Sequence, residues 1–166
     1  MEAHRVAGQH HLIGPAVEQP QYNMFERFKM EQDYLPVFKN VGLGTTIWSP
    51  LAAGFLTGKY NNGIPEDSRL AIEGFDWLKN RWIQDAKLEK VKKLGVLAGE
   101  MGVSLAALAI AWTVKNLDVT TAILGATKKE QLLQNLKALE VLPLLTAEVT
   151  EKIEQILQNK PVMDLA

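Results

Sequence analysis

Three stretches of this chain carry residues whose types and spacing suit binding chemistry: Trp48-Ser49-Pro50-Leu51-Ala52-Ala53-Gly54, Gly58-Lys59-Tyr60 and Gly125-Ala126-Thr127. An indole offers a flat face for stacking, and Gln19, at the end of an earlier apolar run, offers the donor and acceptor that a carboxamide matches. Glycine beside Lys59 lets backbone approach a ligand while the ammonium meets a diphosphate. The Arg69 guanidinium forks onto phosphate. A glycine after a buried strand, followed by a helix start at Thr127, makes an anion site from free N–H groups and the helix dipole.

Each of these residues also has a plain structural reading. Trp48 suits a core aromatic equally well, and Lys59 a solvated surface lysine. A local pair with Asp67 or Glu66 accounts for Arg69. Thr127 and Glu130 fit a capping box. Gln131, Gln134 and Asn135 read either as the solvated face of a leucine-backed helix or as groups for the edges of an adenine.

The elements that must position these residues alternate between strand and helix. Residues 12–19 read as a buried strand, 24–29 as one helical turn and 34–40 as a helix stopped by Gly42. The β-rich run 43–48 ends at Ser49-Pro50, and 119–124 is a third strand. Between them lies a connection, 57–84, without a convincing period and expected to act as a lid. Residues 86–101 form an amphipathic helix closed by Gly102, and Ser104 caps a nearly all-apolar helix over 105–115. A helix over 128–139 places Leu132, Leu133, Leu136 and Leu139 on one side. Thr146 caps a last helix with Val149, Ile153, Ile156 and Leu157 inward, and 160–166 is expected to fray. The pattern is that of parallel βα units, whose ligands sit at the C-terminal ends of the strands.

Composition narrows the function classes. In 166 residues, 18 basic side chains balance 19 acidic ones, so no clustered positive field is present to hold nucleic acid. Cysteine is absent, which excludes a disulfide scaffold and a thiol nucleophile; with three histidines, no metal site is expected. Adjacent His10 and His11 point apart and read as surface. The uncharged run 41–58 contains Pro50 and four glycines and is too broken to span a membrane, and Met1-Glu2-Ala3-His4-Arg5 does not read as a signal peptide. Cytoplasmic location is expected. Gly-x-Gly-x-x-Gly, Walker and Gly-x-Ser-x-Gly motifs do not occur.

Several segments, in order, resemble the aldo-keto reductase superfamily, in the branch of the voltage-gated potassium channel β subunits: Glu18-Gln19-Pro20-Gln21-Tyr22-Asn23-Met24-Phe25, Thr46 through Gly54, Leu56-Thr57-Gly58-Lys59-Tyr60, Gly63-Ile64-Pro65, Leu108 through Trp112 and Leu124 through Thr127. The resemblance implies the C-terminal three βα units of a (β/α)8 TIM barrel, with parallel strands, outer helices and a C-terminal helix, forming one unit over 1–166. It implies NADPH as cofactor. By position, Gln19 would bind the carboxamide and Trp48 would stack on nicotinamide. Ser49, Pro50, Leu51, Ala53 and Lys59 would line the diphosphate path, Arg69, Gly125 and Thr127 would hold the adenosine phosphate, and Gln131, Gln134 and Asn135 the adenine. Asp67 and Gln134 depart from the branch, which often has an aromatic and a glutamate there.

The catalytic Asp, Tyr, Lys and His or Asn of that family lie on early strands and have no counterpart here, so the chain alone is expected to be inactive. Met1-Glu2-Ala3-His4 resembles the middle of the helix before the sixth strand, as in a fragment or a gene model begun at an internal methionine. The implied activity of the parent is reduction of a small aldehyde or ketone by hydride transfer. The alternative is a redox-sensing channel subunit, docked as a tetramer on a channel's cytoplasmic domain. A half-barrel with no activity is the third reading.

Overall fold

Ser104 and Thr146 start their helices as their hydroxyls suggest: Ser104 Oγ accepts from Ala107 N at 3.2 Å and Thr146 Oγ1 from Val149 N at 3.3 Å. The computed structural model describes residues 1–162. In chain order it contains α1 (Glu2–Gln9), β1 (Val17–Glu18), a π-helical turn at Lys29–Asp33, α2 (Leu35–Val41), β2 (Gly44–Ile47), a 3-10 corner at Ala52–Thr57, α3 (Asp76–Trp82), α4 (Asp85–Glu100), α5 (Leu105–Lys115), β3 (Thr121–Ala122), α6 (Lys129–Leu136), α7 (Ala138–Val141) and α8 (Ala147–Leu157).

The three strands form one parallel sheet in the order β1-β2-β3, with Val17 opposite Gly44 and Ile47 opposite Ala122. Thr45 pins the entry to β3. Its Oγ1 donates to Asp118 O at 2.6 Å, and its N–H donates to Thr120 Oγ1 at 3.1 Å. Gly42 ends α2 in the left-handed region, φ 66°, where a side chain would be strained.

Helix α5 is buried from Leu105 through Thr113, which explains why its sequence is apolar all round. An aromatic group made by Phe25, Phe55 and Trp82 backs the 3-10 corner; Phe55 and Trp82 stack with centroids 5.9 Å apart. The chain turns through 94° between α4 and α5, and no single helix among the described residues is long and apolar enough to cross a membrane.

Four expectations need correction. Only Val17–Glu18 of the 12–19 run pairs as a strand, and Leu12, Ile13 (97% exposed) and Val17 face solvent, because β1 is the sheet's edge among the described residues. Within 24–29, Met24 and Phe25 form the turn between the bridged Asn23 and Glu26, and helical backbone begins only at 28, leading into the π-helical turn, so the span is not one helical turn. The segment 57–84 contains α3, whose Trp82 and Leu78 are core residues. The 128–139 helix breaks into α6 and α7, and its leucines at 132, 133, 136 and 139 are exposed, while Asn135 is 5% exposed. Of the expected frayed tail 160–166, residues 163–166 lie outside the described residues.

Candidate functional site

The C-terminal end of β2 becomes a corner because Pro50 cannot continue the ladder. Ser49 O accepts from Ala52 N at 3.0 Å, with Pro50 at the first central position and Leu51 at φ −100°, ψ 11° at the second, as in a type I turn. Ser49, Ala52 and Ala53 lie at φ 58°, 49° and 58°, followed by Gly54 at 88° and Gly58 at 78°. Left-handed backbone costs a non-glycine residue about 1–2 kcal/mol, and such strain concentrates where a binding or catalytic surface is shaped. Pro50 and Ala52 are buried, and Leu51 and Ala53 pack partly on the core, so the corner is backed by fixed atoms.

Trp48 sits just before the corner. Its N–H donates to Pro20 O at 3.0 Å and its carbonyl accepts from Tyr22 N at 3.3 Å, which fixes its backbone against the chain leaving β1. Trp48 is 41% exposed in this chain, with its indole open in part. Gln19 is exposed on that same neighbouring exit.

Lys59 folds back over the corner. A Cβ placed on Gly54 would meet Lys59 Cε at 2.8 Å and Nζ at 3.0 Å, and the ammonium lies 5.0 Å from the Tyr60 ring centre. Tyr60 in turn donates to Ala53 O at 3.3 Å. Arg69 pairs with neither Asp67 nor Glu66, correcting that alternative. Its guanidinium lies 5.6 Å from the Phe75 ring centre, and among the described residues it forms no salt bridge.

β3 delivers Gly125 and Thr127 beside this corner: Ile123 N donates to Ile47 O at 2.8 Å, so the two strand exits are neighbours. Gly125, Thr127, Gln131 and Gln134 are exposed. The capping box is not formed. Gln131 Oε1 instead accepts from Thr127 N at 3.0 Å and from its hydroxyl at 3.3 Å, taking the place assigned to Glu130. Lys128 Nζ reaches Asp67 Oδ2 at 3.3 Å, which ties this turn to the connection carrying Lys59 and Arg69. Buried Asn135 lies on the inward face of α6 and Gln134 on the outward one, so the two do not share a surface.

Residues that carried no weight in the sequence prove central to the geometry. Asn23 is fully buried, with Nδ2 donating to Ser49 O at 3.0 Å and Oδ1 accepting from Phe25 N and Glu26 N at 3.0 and 3.1 Å. Asparagine bonding backbone two residues on is a turn signature and was available as a signal. Ser68 Oγ and Asn61 Oδ1, in the connection with Lys59 and Arg69, are buried without a protein partner among the described residues. No local pattern announces them. Buried Arg27 grips Glu31 and Glu154, each through two hydrogen bonds of 2.7–2.9 Å. The Arg27–Glu31 spacing of four was the visible half of that signal.

Together the arrangement offers an open aromatic face, a rigid backbone corner and two cations free of carboxylate partners among the described residues. These suit a flat ligand carrying anionic groups. Among the described residues no three His, Cys, Asp or Glu side chains gather as metal ligands.

Comparison with known proteins gives two findings. The family model described as aldo/keto reductase family matches residues 2–158. The chain is 54% identical over 161 residues to a rice (Oryza sativa subsp. japonica) protein named probable voltage-gated potassium channel subunit beta, and 53% identical over 161 residues to one of the same name from Arabidopsis thaliana. Each alignment covers 96% of this chain and 49% of the relative, so the chain spans about half the length of the curated relatives it matches.

Proposed function

Since this chain belongs to the aldo/keto reductase family, we propose that it is the NADPH-gripping portion of a carbonyl reductase built as a (β/α)8 barrel, to which it contributes the last three βα units. The observation that carries this reading is the pairing of an open indole at Trp48 with the left-handed corner beside it, on the same sheet end as the Gly125–Thr127 turn. Bound NADPH supplies hydride to a carbonyl carbon. Gln19 and Trp48 hold the nicotinamide end, the first by hydrogen bonds to its carboxamide and the second by stacking. Ser49, Pro50, Leu51 and Ala53 present fixed backbone to the diphosphate, and Lys59 offsets its charge. Arg69, Gly125 and Thr127 take the adenosine phosphate. Gln131 and Gln134 serve the adenine from the exposed face of α6, with Asn135 shaping that face from beneath. The proton that must reach the carbonyl oxygen has no donor in this set, so turnover by this chain alone is not expected.

Fluorescence titration of the tryptophans tests the reading. NADPH should quench emission in the unaltered chain, and Trp48→Ala should remove most of that response. Arg69→Ala should weaken NADPH by about tenfold or more while leaving NADH nearly unaffected, since a charge-assisted contact to phosphate contributes about 1.5–3 kcal/mol. No quenching at millimolar NADPH would overturn the proposal, and steady reduction of 4-nitrobenzaldehyde by this chain would overturn its inactivity.

The names of the two plant relatives favour a second reading for the whole protein, a subunit of a voltage-gated potassium channel; with the family resemblance, that reading would make it a cytoplasmic tetramer that reports cofactor redox state. Retention of the full-length protein by an immobilised cytoplasmic domain of such a channel supports it. Absence of retention, with carbonyl turnover, supports the reductase.

A further inference from the structure

The corner at Ser49 holds strained backbone, and strain persists only where surrounding contacts over-determine it. We propose that Asn23 is the residue that positions this corner, and through it the backbone that meets the cofactor; the second half of the claim rests on the NADPH reading above. Both acceptor directions of the Ser49 carbonyl are filled, one by Ala52 N at 3.0 Å from within the turn and the other by Asn23 Nδ2 at 3.0 Å from a segment twenty-six residues earlier. The carboxamide is held at its other end, where Oδ1 accepts from Phe25 N and Glu26 N. It cannot swing away without breaking three bonds in a site closed to water.

The segment that carries Asn23 is itself braced. Met24 O accepts from Asn159 Nδ2 at 2.9 Å, just past the end of α8, and Asn159 Oδ1 accepts from Arg27 Nη1 at 3.2 Å. Arg27 is in turn clamped by Glu31 and Glu154. The corner is thus referenced to the last helix, although the Asn23 side chain makes no hydrogen bond to the residues assigned to the nicotinamide or the adenine.

Asn23→Asp tests this with little change of shape: one oxygen still accepts from Phe25 and Glu26, and the other now faces the Ser49 carbonyl with no hydrogen to give. Asn23→Ser is the second variant, too short to reach Ser49 yet able to accept from the same turn. Hydrogen exchange should accelerate about tenfold at the amides of Ala52, Gly54 and Leu56 in both variants, with α4 and α5 still protected. One net hydrogen bond of 0.5–1.5 kcal/mol corresponds to that factor at its upper end. NADPH affinity should fall by a similar factor, while 2′,5′-ADP, which lacks the nicotinamide half and meets the corner with one phosphate only, should weaken less. Unaltered exchange at the corner, or equal acceleration throughout the chain, overturns the role of Asn23 whether or not the cofactor binds. Equal weakening of NADPH and 2′,5′-ADP also overturns it. Failure of the unaltered chain to bind NADPH overturns the functional reading instead, and exchange still decides Asn23.

Discussion

The ammonium of Lys128 lies 3.3 Å from the carboxylate of Asp67, across sixty-one residues of chain, joining the turn after β3 to the connection that carries Lys59 and Arg69. Both side chains are largely exposed, so the pair adds little to stability. Its effect is electrostatic: a negative charge stands among the cations proposed to hold phosphate. Asp67→Asn should leave the unfolding midpoint unchanged and strengthen NADPH binding by up to about fivefold, the bound for unit charges about 4 Å apart in water. The gain should vanish in 1 M salt, where screening is nearly complete. Calorimetric titration at low and high salt checks both parts, and weaker binding of the variant at low salt would count against the assignment.

Arg27 is the most deeply buried charge described, and it holds two carboxylates and lies 5.1 Å from the Trp112 ring centre. Burial alone would oppose its charge, yet the bonds to Glu154 and Glu31 outweigh that and hold its pKa above the ordinary guanidinium range. Arg27→Met should therefore cost about 3–5 kcal/mol in urea unfolding, because two carboxylates are left facing each other. Replacing Glu31 and Glu154 by methionine in the same chain should recover most of that loss. A single variant as stable as the parent would show the cluster to be solvated.

Tyr22 makes stability depend on alkaline pH. Its hydroxyl donates to Glu31 at 2.7 Å and accepts from Asn116 at 3.2 Å; burial first, and then the charge of Glu31, raise its pKa above the phenol range. A folded pKa above the unfolded value of about 10 means that its stabilising contribution is whole below pH 10 and is lost as pH rises beyond it. Tyr22→Phe should be less stable than the parent at neutral pH by about 1 kcal/mol, the worth of its hydrogen bonds. Above pH 10 the parent should lose stability faster than the variant, by about 1.4 kcal/mol per pH unit, and the two curves should converge. Parallel curves in thermal unfolding from pH 8 to 12 would contradict this.

Local signals were legible in the sequence and contextual ones were not. Ser104, Thr146 and Gly102 mark helix ends through bonds or backbone angles confined to a few residues, α4 and α5 lie within one residue of the expected spans, and α8 starts after Thr146 as expected. Trp48 and the Gly125 turn share a sheet end because parallel strands place their exits together. The bond from Asn23 to Ser49 joins residues far apart in sequence, and no periodicity carries that information. The 12–19 run has strand-like composition, but a strand is a pairing, and only two of its residues find partners.

Apolar spacing likewise reports that a helix has a greasy face without saying what covers it. Leu136 belongs to the one-sided leucine stripe of α6 and is 51% exposed, whereas Leu94 on α4 is fully buried. The free energy of truncation separates the two cases, because only a buried side chain loses transfer free energy and leaves a cavity. Leu94→Ala should destabilise this chain by about 2–5 kcal/mol. Leu136→Gln should change it by no more than about 0.5 kcal/mol. Urea unfolding of the two variants side by side measures the contrast, and a loss of 2 kcal/mol or more at Leu136 would mean that the α6 stripe is covered in solution.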